Sequence, residues 1–143
     1  MPGTYWIDKK TNIVVKRYSG TVTVRCVLNV LDSVEADPEF ASGMNELNDS
    51  RAVTAYAIAR DELEHLAELV KGYNVRVRGL SRKAVVVLTD ETWRTAHLYR
   101  SLVTAGTRLE VGVFDAMSEA LDFLRVMDEE DRQRLMKHQV IYN

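Results

Sequence analysis

The chain predicts an α/β sandwich: a mostly parallel sheet of about five strands with an antiparallel hairpin at one edge, helices packed on the sheet, and a helical extension at the C-terminus. Three observations carry that prediction. The run Ala84–Leu88 is uninterruptedly apolar, with Val85, Val86 and Val87 β-branched. It is too short for a buried helix and has no polar face, so it belongs inside a sheet covered by helices on both sides. Strand-like runs alternate with helix-period segments through most of the chain, which implies crossovers and a parallel sheet. The N-terminal runs Tyr5–Ile7 and Ile13–Tyr18, separated by the polar Asp8–Asn12, read as a hairpin.

A chain of 143 residues can bury a core without disulfides or metal, and 46% hydrophobic with 28% charged residues is an ordinary globular balance. The formal net charge of −2 gives no global pull toward nucleic acid or anionic membrane. Cys26 is the single cysteine, so an internal disulfide is excluded and a reducing compartment fits. The N-terminus lacks the regions of a signal peptide, and no apolar run is long enough to span a bilayer. A cytoplasmic location is expected. Without a linker or repeat, residues 1–127 are expected to form one domain, with 128–143 as the helical extension.

The elements follow in order. Gly20 is expected to break the second strand, and Cys26, Val27, Val30, Leu31 and Val34 then repeat at helical spacing. A helix over Val24–Ala36 follows, with Thr23 as N-cap and Asp37-Pro38 as its end. Met44–Asn48 is a short strand assigned more by topology than by pattern. Asp61-Glu62-Leu63-Glu64 has capping-box form, with Leu63, Leu66, Ala67 and Val70 on one face and Gly72 as the stop. After the central strand, Asp90 caps a helix running to Ala105, with Gly106 as its stop. Trp93, Ala96, Tyr99, Leu102 and Val103 form its inward face. Leu109–Phe114 is the last strand. A helix from about Ser118 turns Ala120, Leu121, Leu124 and Met127 inward, and the order of acidic then basic residues from Asp128 to Lys137 predicts a further short helix.

Several of these segments together resemble the SpoIIAA-like proteins. They are Tyr18-Ser19-Gly20-Thr21-Val22-Thr23, Ala36-Asp37-Pro38-Glu39-Phe40, the strand Ala84–Leu88 running into Trp93, Ala96 and Tyr99, and Val113-Phe114-Asp115 followed by Glu119–Leu124. The resemblance covers roughly residues 5–124 and implies a STAS-like fold, related to anti-sigma factor antagonists and more distantly to the lipid-carrying Sec14-like fold. Those antagonists carry a phosphorylatable serine, within Asp-Ser, at the start of the helix after the second parallel strand. Aligning on Asp49 and Val53 places that pair at Ala57 and Ile58, which cannot accept phosphate. Ser50 and Thr54 lie nearby but not at the switch position.

Four constellations bear on function. Asp49, Asp90 and Asp115 each follow a predicted parallel strand, where open α/β sheets bind ligands; they either hold a metal or phosphate or simply cap helices. Lys71, Arg76, Arg78, Arg82 and Lys83 occur between Lys71 and Thr89 without a carboxylate, giving an interaction surface or a solvated loop at the opposite rim. Tyr73 is the one aromatic there, too little for base stacking, and no nucleic-acid partner is expected. Trp6, Tyr18, Trp93, His97 and Tyr99 either line a cavity for a small apolar, lipid-like ligand or fill the core. His65, His97 and His138 fall on three helices without metal-ligand spacing, and Cys26 reads as a small core residue near a helix N-terminus.

No glycine-rich phosphate loop, Gly-x-Ser-x-Gly elbow or His-Glu-x-x-His motif occurs. The expectation is a non-enzymatic STAS-like module without cofactor or metal, acting on a protein partner or on itself as a homodimer. The alternative is a carrier or sensor of a small apolar ligand held between helices and sheet.

Overall fold

The computed structural model describes residues 3–41, 43–77 and 81–137. The chain runs β1 (Gly3–Asp8), β2 (Ile13–Thr23), α1 (Val24–Ala36), β3 (Asn45–Ala57), α2 (Arg60–Val77), β4 (Arg82–Val86), α3 (Asp90–Thr104), β5 (Glu110–Phe114), α4 (Met117–Phe123) and α5 (Glu129–Lys137). The five strands lie in the sheet in sequence order. β1 pairs antiparallel with β2, and every later pairing is parallel.

That order explains where the helices sit. From β2 to β5 the chain always steps the same way across the sheet, so crossovers of one hand place α1, α2 and α3 on one face. The other face is left for α4 and α5. On the first face Val85, Val87 and Val111 pack under α2 and α3, and Val14, Tyr18 and Val22 pack under Val30 and Val34 of α1. On the second, Ile13, Val15, Leu47, Ala84 and Val86 pack against Ala120 and Leu121 of α4 and Leu135 of α5. The valines of the apolar run thus alternate between two cores, as a strand buried on both faces requires. Leu135, beyond residue 127, shares the second core.

Several local expectations need correction. β2 does not break at Gly20. That glycine takes φ +67°, which a left-handed bulge needs, and the register with β3 shifts there before Thr21–Thr23 pair with Ala55–Ala57. The strand expected over Met44–Asn48 extends to Ala57, because β2 supplies ladder partners that outweigh its irregular apolar pattern. The central run leaves the sheet after Val86; Val87 stays buried, and Leu88 is 59% exposed.

Helix ends differ too. Thr23 caps α1 as expected, its hydroxyl accepting from the Cys26 N–H. α2 has no Asp61 capping box: it starts at Arg60, and Glu62 accepts the N–H of Ala59. Gly72 does not take the left-handed conformation of a C-terminal cap, and α2 continues to Val77. Thr89, not Asp90, caps α3, exchanging reciprocal hydrogen bonds with Thr92. Trp93 is 36% exposed and Met127 69% exposed, so neither faces the core as the spacing implied.

Candidate functional site

The face beneath α1, α2 and α3 is not filled completely. A pocket of about 70 Å³ lies between the three helices and the sheet. Its walls are apolar: Val27 and Leu31 of α1, Leu63, Leu66 and Val70 of α2, Ala96 of α3 and Val85 of β4. The helical spacing that predicted these helices places those side chains there. Tyr18, Tyr56 and Tyr99 add phenol rings to the wall.

Three charged side chains on adjacent strands form one end. Glu46 of β3 stands directly opposite Lys83 of β4 in the parallel register, and Lys16 of β2 lies on the same face, two residues beyond Glu46's partner Val14. Lys16 Nζ is 2.9 Å from Glu46 Oε1, and Lys83 Nζ is 3.3 Å from Glu46 Oε2. The second contact is an ion pair whose angle falls outside hydrogen-bond geometry. Lys83 Nζ also donates to the Tyr99 hydroxyl at 2.8 Å. Side-chain exposures of 7% for Lys16, 16% for Glu46 and 11% for Lys83 put the group mostly out of water. A second pocket, of about 50 Å³, lies beyond the same three side chains, toward Phe40, Met44 and Leu109.

Burial opposes the charge on Glu46, but the attraction of Lys16 and Lys83 outweighs it and holds the carboxyl down at about 2. Burial likewise works against the Lys83 ammonium, and Glu46 and Tyr99 more than reverse it, raising its pKa above the ordinary lysine value. Burial pushes the Tyr18 phenol up, and the nearby Glu46 charge adds to this. Glu46 and Lys83 are therefore ionised, and among the described residues the site holds two lysines to one carboxylate.

Of the aromatic set, Tyr18 and Tyr99 line this pocket. Trp6 packs on the opposite face of the sheet, against the core formed with α4 and α5. Trp93 packs against His97 in a tilted arrangement, their ring centroids 4.7 Å apart and their planes at 57°. Trp93 lines a separate surface pocket of about 200 Å³ with Leu88, Asp90 and Asp115.

The three aspartates do not converge. Asp90 and Asp115 share that surface pocket, whereas Asp49 lies within β3, buried on the other face. Arg51 Nε donates to Asp49 Oδ1 at 2.9 Å and Arg17 Nε to Oδ2 at 3.2 Å. Burial would raise the Asp49 pKa, and these guanidiniums lower it instead. Of the switch positions, Ala57 ends β3 and Ile58 lines the pocket wall, while Ser50 is fully buried and donates to Asn48 Oδ1 at 2.6 Å.

The basic stretch is divided by the fold. Lys83 points under the helices; Arg82 pairs with Glu110 at 2.8 Å and donates to the Phe123 carbonyl at 2.9 Å. Lys71 meets Glu68 at 3.4 Å. Arg76 falls in the last turn of α2, while Arg78, like His138, lies outside the described residues. The segment holds no carboxylate of its own, yet Glu46, Glu68 and Glu110 reach it from elsewhere in the chain. Cys26 sits in the first turn of α1, where the hydrogen bond with Thr23 lowers its thiol pKa.

Lys16 and Glu46 are the site residues that motif reading passes over. A signal for Lys16 exists: it occupies an inward position in the alternation Val14, Lys16, Tyr18, where the pattern calls for an apolar residue. Glu46 gives no such signal, because its partners come from register alone.

No known family model matches the chain, and no curated protein does. Among solved structures it is similar to an uncharacterised DUF3478-family protein with a SpoIIAA-like fold from Shewanella loihica PV-4. The two are 14% identical with a TM-score of 0.54, and the match covers 85% of this chain and 93% of that one. Among the described residues no helix is long and apolar enough to cross a membrane. The mixed five-stranded sheet, its order and its helices on both faces give this chain the SpoIIAA-like α/β fold.

Proposed function

We propose that this protein is a non-enzymatic binding module whose ligand occupies the pocket under α1, α2 and α3. The observation that carries this reading is an apolar pocket of about 70 Å³ closed at one end by the buried Lys16, Glu46 and Lys83. Binding sites combine apolar walls with a few placed polar groups in this way. The volume limits the ligand to a few non-hydrogen atoms unless helices move, since one water needs roughly 10–15 Å³ on this measure. A full lipid chain does not fit this arrangement.

Native mass spectrometry of protein purified from cells should show a small co-purifying mass, and a library of small amphipathic molecules should raise the melting temperature of wild type. Ala96→Leu, which fills the pocket, should abolish both effects. A wild type that carries nothing and responds to no member of the library overturns the reading.

A second reading, docking of a protein partner, is favoured by Leu88 and Trp93, which stay exposed beside each other where β4 leaves the sheet. Leu88→Ser with Trp93→Ser should then remove a partner captured by the wild type; an unchanged partner set removes this surface from consideration.

A further inference from the structure

Building on the pocket reading above, we infer that the ligand is a small monocarboxylate, its carboxylate seated against Lys16 and Lys83 and its body of a few carbons lying among Val27, Leu66 and Ala96. Among the described residues the pocket lining carries two ammonium groups and one carboxylate, beside the phenols of Tyr18, Tyr56 and Tyr99. Both lysines pair with Glu46, so among the described lining residues the ammonium groups exceed the carboxylate by one. Burying an uncompensated charge is costly, and an anion brought in by a ligand removes that cost. Lys83 spends one N–H on Tyr99 and turns another toward Glu46 at poor angle, which leaves a third for a ligand oxygen.

The same features select against other classes. A phosphate dianion would overcompensate a single positive charge, leaving the site with a net negative charge out of water. An amine would meet two ammonium groups. A neutral amide gains the walls and loses the ion pairing.

Wild-type protein is titrated by calorimetry with butanoate, butanamide, butylammonium and sulfate at constant ionic strength. Butanoate should bind at least tenfold more tightly than butanamide, with butylammonium and sulfate giving no saturable binding. Lys83→Met should bring butanoate and butanamide within about twofold of each other, and Ala96→Leu should abolish both. Should Lys83→Met fail to fold, the wild-type ratio of acid to amide decides by itself. Equal affinity for acid and amide, lost together in Ala96→Leu, overturns the carboxylate inference and leaves the pocket standing. Sulfate binding as tightly as butanoate also overturns it. Absence of binding by any of the four, or binding indifferent to Ala96→Leu, overturns both.

Discussion

The two faces of the sheet are built from the same strands, yet they handle buried charge in opposite ways. Under α4 and α5, each buried carboxylate is matched by guanidinium. Asp8 receives Arg134 Nε and Nη2 at 2.9 and 2.8 Å, and Asp49 receives Arg17 and Arg51. Arg17 also donates to the Leu135 carbonyl at 3.0 Å, tying α5 to β2. The planar guanidinium fork satisfies a carboxylate pairwise, so this face can close over its charges. Under α1, α2 and α3 the cations are lysines, which act as point charges, and they outnumber the glutamate between them. That face keeps a pocket beside its charges, whereas on the other the carboxylates are closed over by guanidinium. Charge matched by shape serves structure; the charge left over at the end of the pocket is what the proposed ligand binding rests on.

The largest expected effect breaks this contrast at its centre. Glu46→Gln leaves two buried ammonium groups facing each other and should cost about 4 kcal/mol in urea unfolding; a loss under about 1 kcal/mol would mean the group is solvated and the two faces are alike. Next, Leu135→Ala removes a fully buried side chain from the core under α4 and α5 and should cost about 3 kcal/mol, the usual range for truncating a buried leucine.

Acid titration sharpens the comparison. The Glu46 carboxyl is lowered from 4.5 to about 2, so its contribution is complete above about pH 4.5 and lost as pH falls toward 2. Asp8 and Asp49 are also lowered and act in the same direction, so the test is a difference. The stability gap between wild type and Glu46→Gln should narrow steadily below pH 4.5. A constant gap would show that the glutamate is not charged in the fold.

Smaller effects complete the series. Lys83→Met leaves Lys16 and Glu46 as a balanced pair and should stay within about 1 kcal/mol of wild type, far less than Glu46→Gln costs. A loss as large as that of Glu46→Gln would show that no cation is in excess. Leu88→Ser, on an exposed side chain, should change stability by no more than about 0.5 kcal/mol.

Local signals were legible where the physics is local. The Thr23 cap and the span Val24–Ala36 follow from neighbours in sequence, and the structure has both. The buried alternation of Ala84, Val85, Val86 and Val87 follows from composition, since a run without polar atoms fits only a doubly covered strand. Reading failed where a distant partner decides. β3 reads as a short, irregular strand, and its polar Asn48, Asp49 and Ser50 look unsuited to a core. Arg17 and Arg51 satisfy Asp49, Ser50 donates to Asn48, and the ladder with β2 carries the strand to Ala57. Trp93 has inward spacing, but α3 begins at the end of the sheet, where nothing covers its first turn fully.

The sequence by itself determined the alternation of strands and helices, the antiparallel start and the strand buried on both faces, because hydrophobic period and caps act over a few residues. Only the tertiary structure decided that Lys16, Glu46 and Lys83 meet, that Asp49 turns away from Asp90 and Asp115, and that Trp6 and Tyr99 lie on opposite sides of the sheet. Those outcomes depend on register, where a slip of one residue turns every side chain to the other face, and no local pattern encodes the partner strand's position.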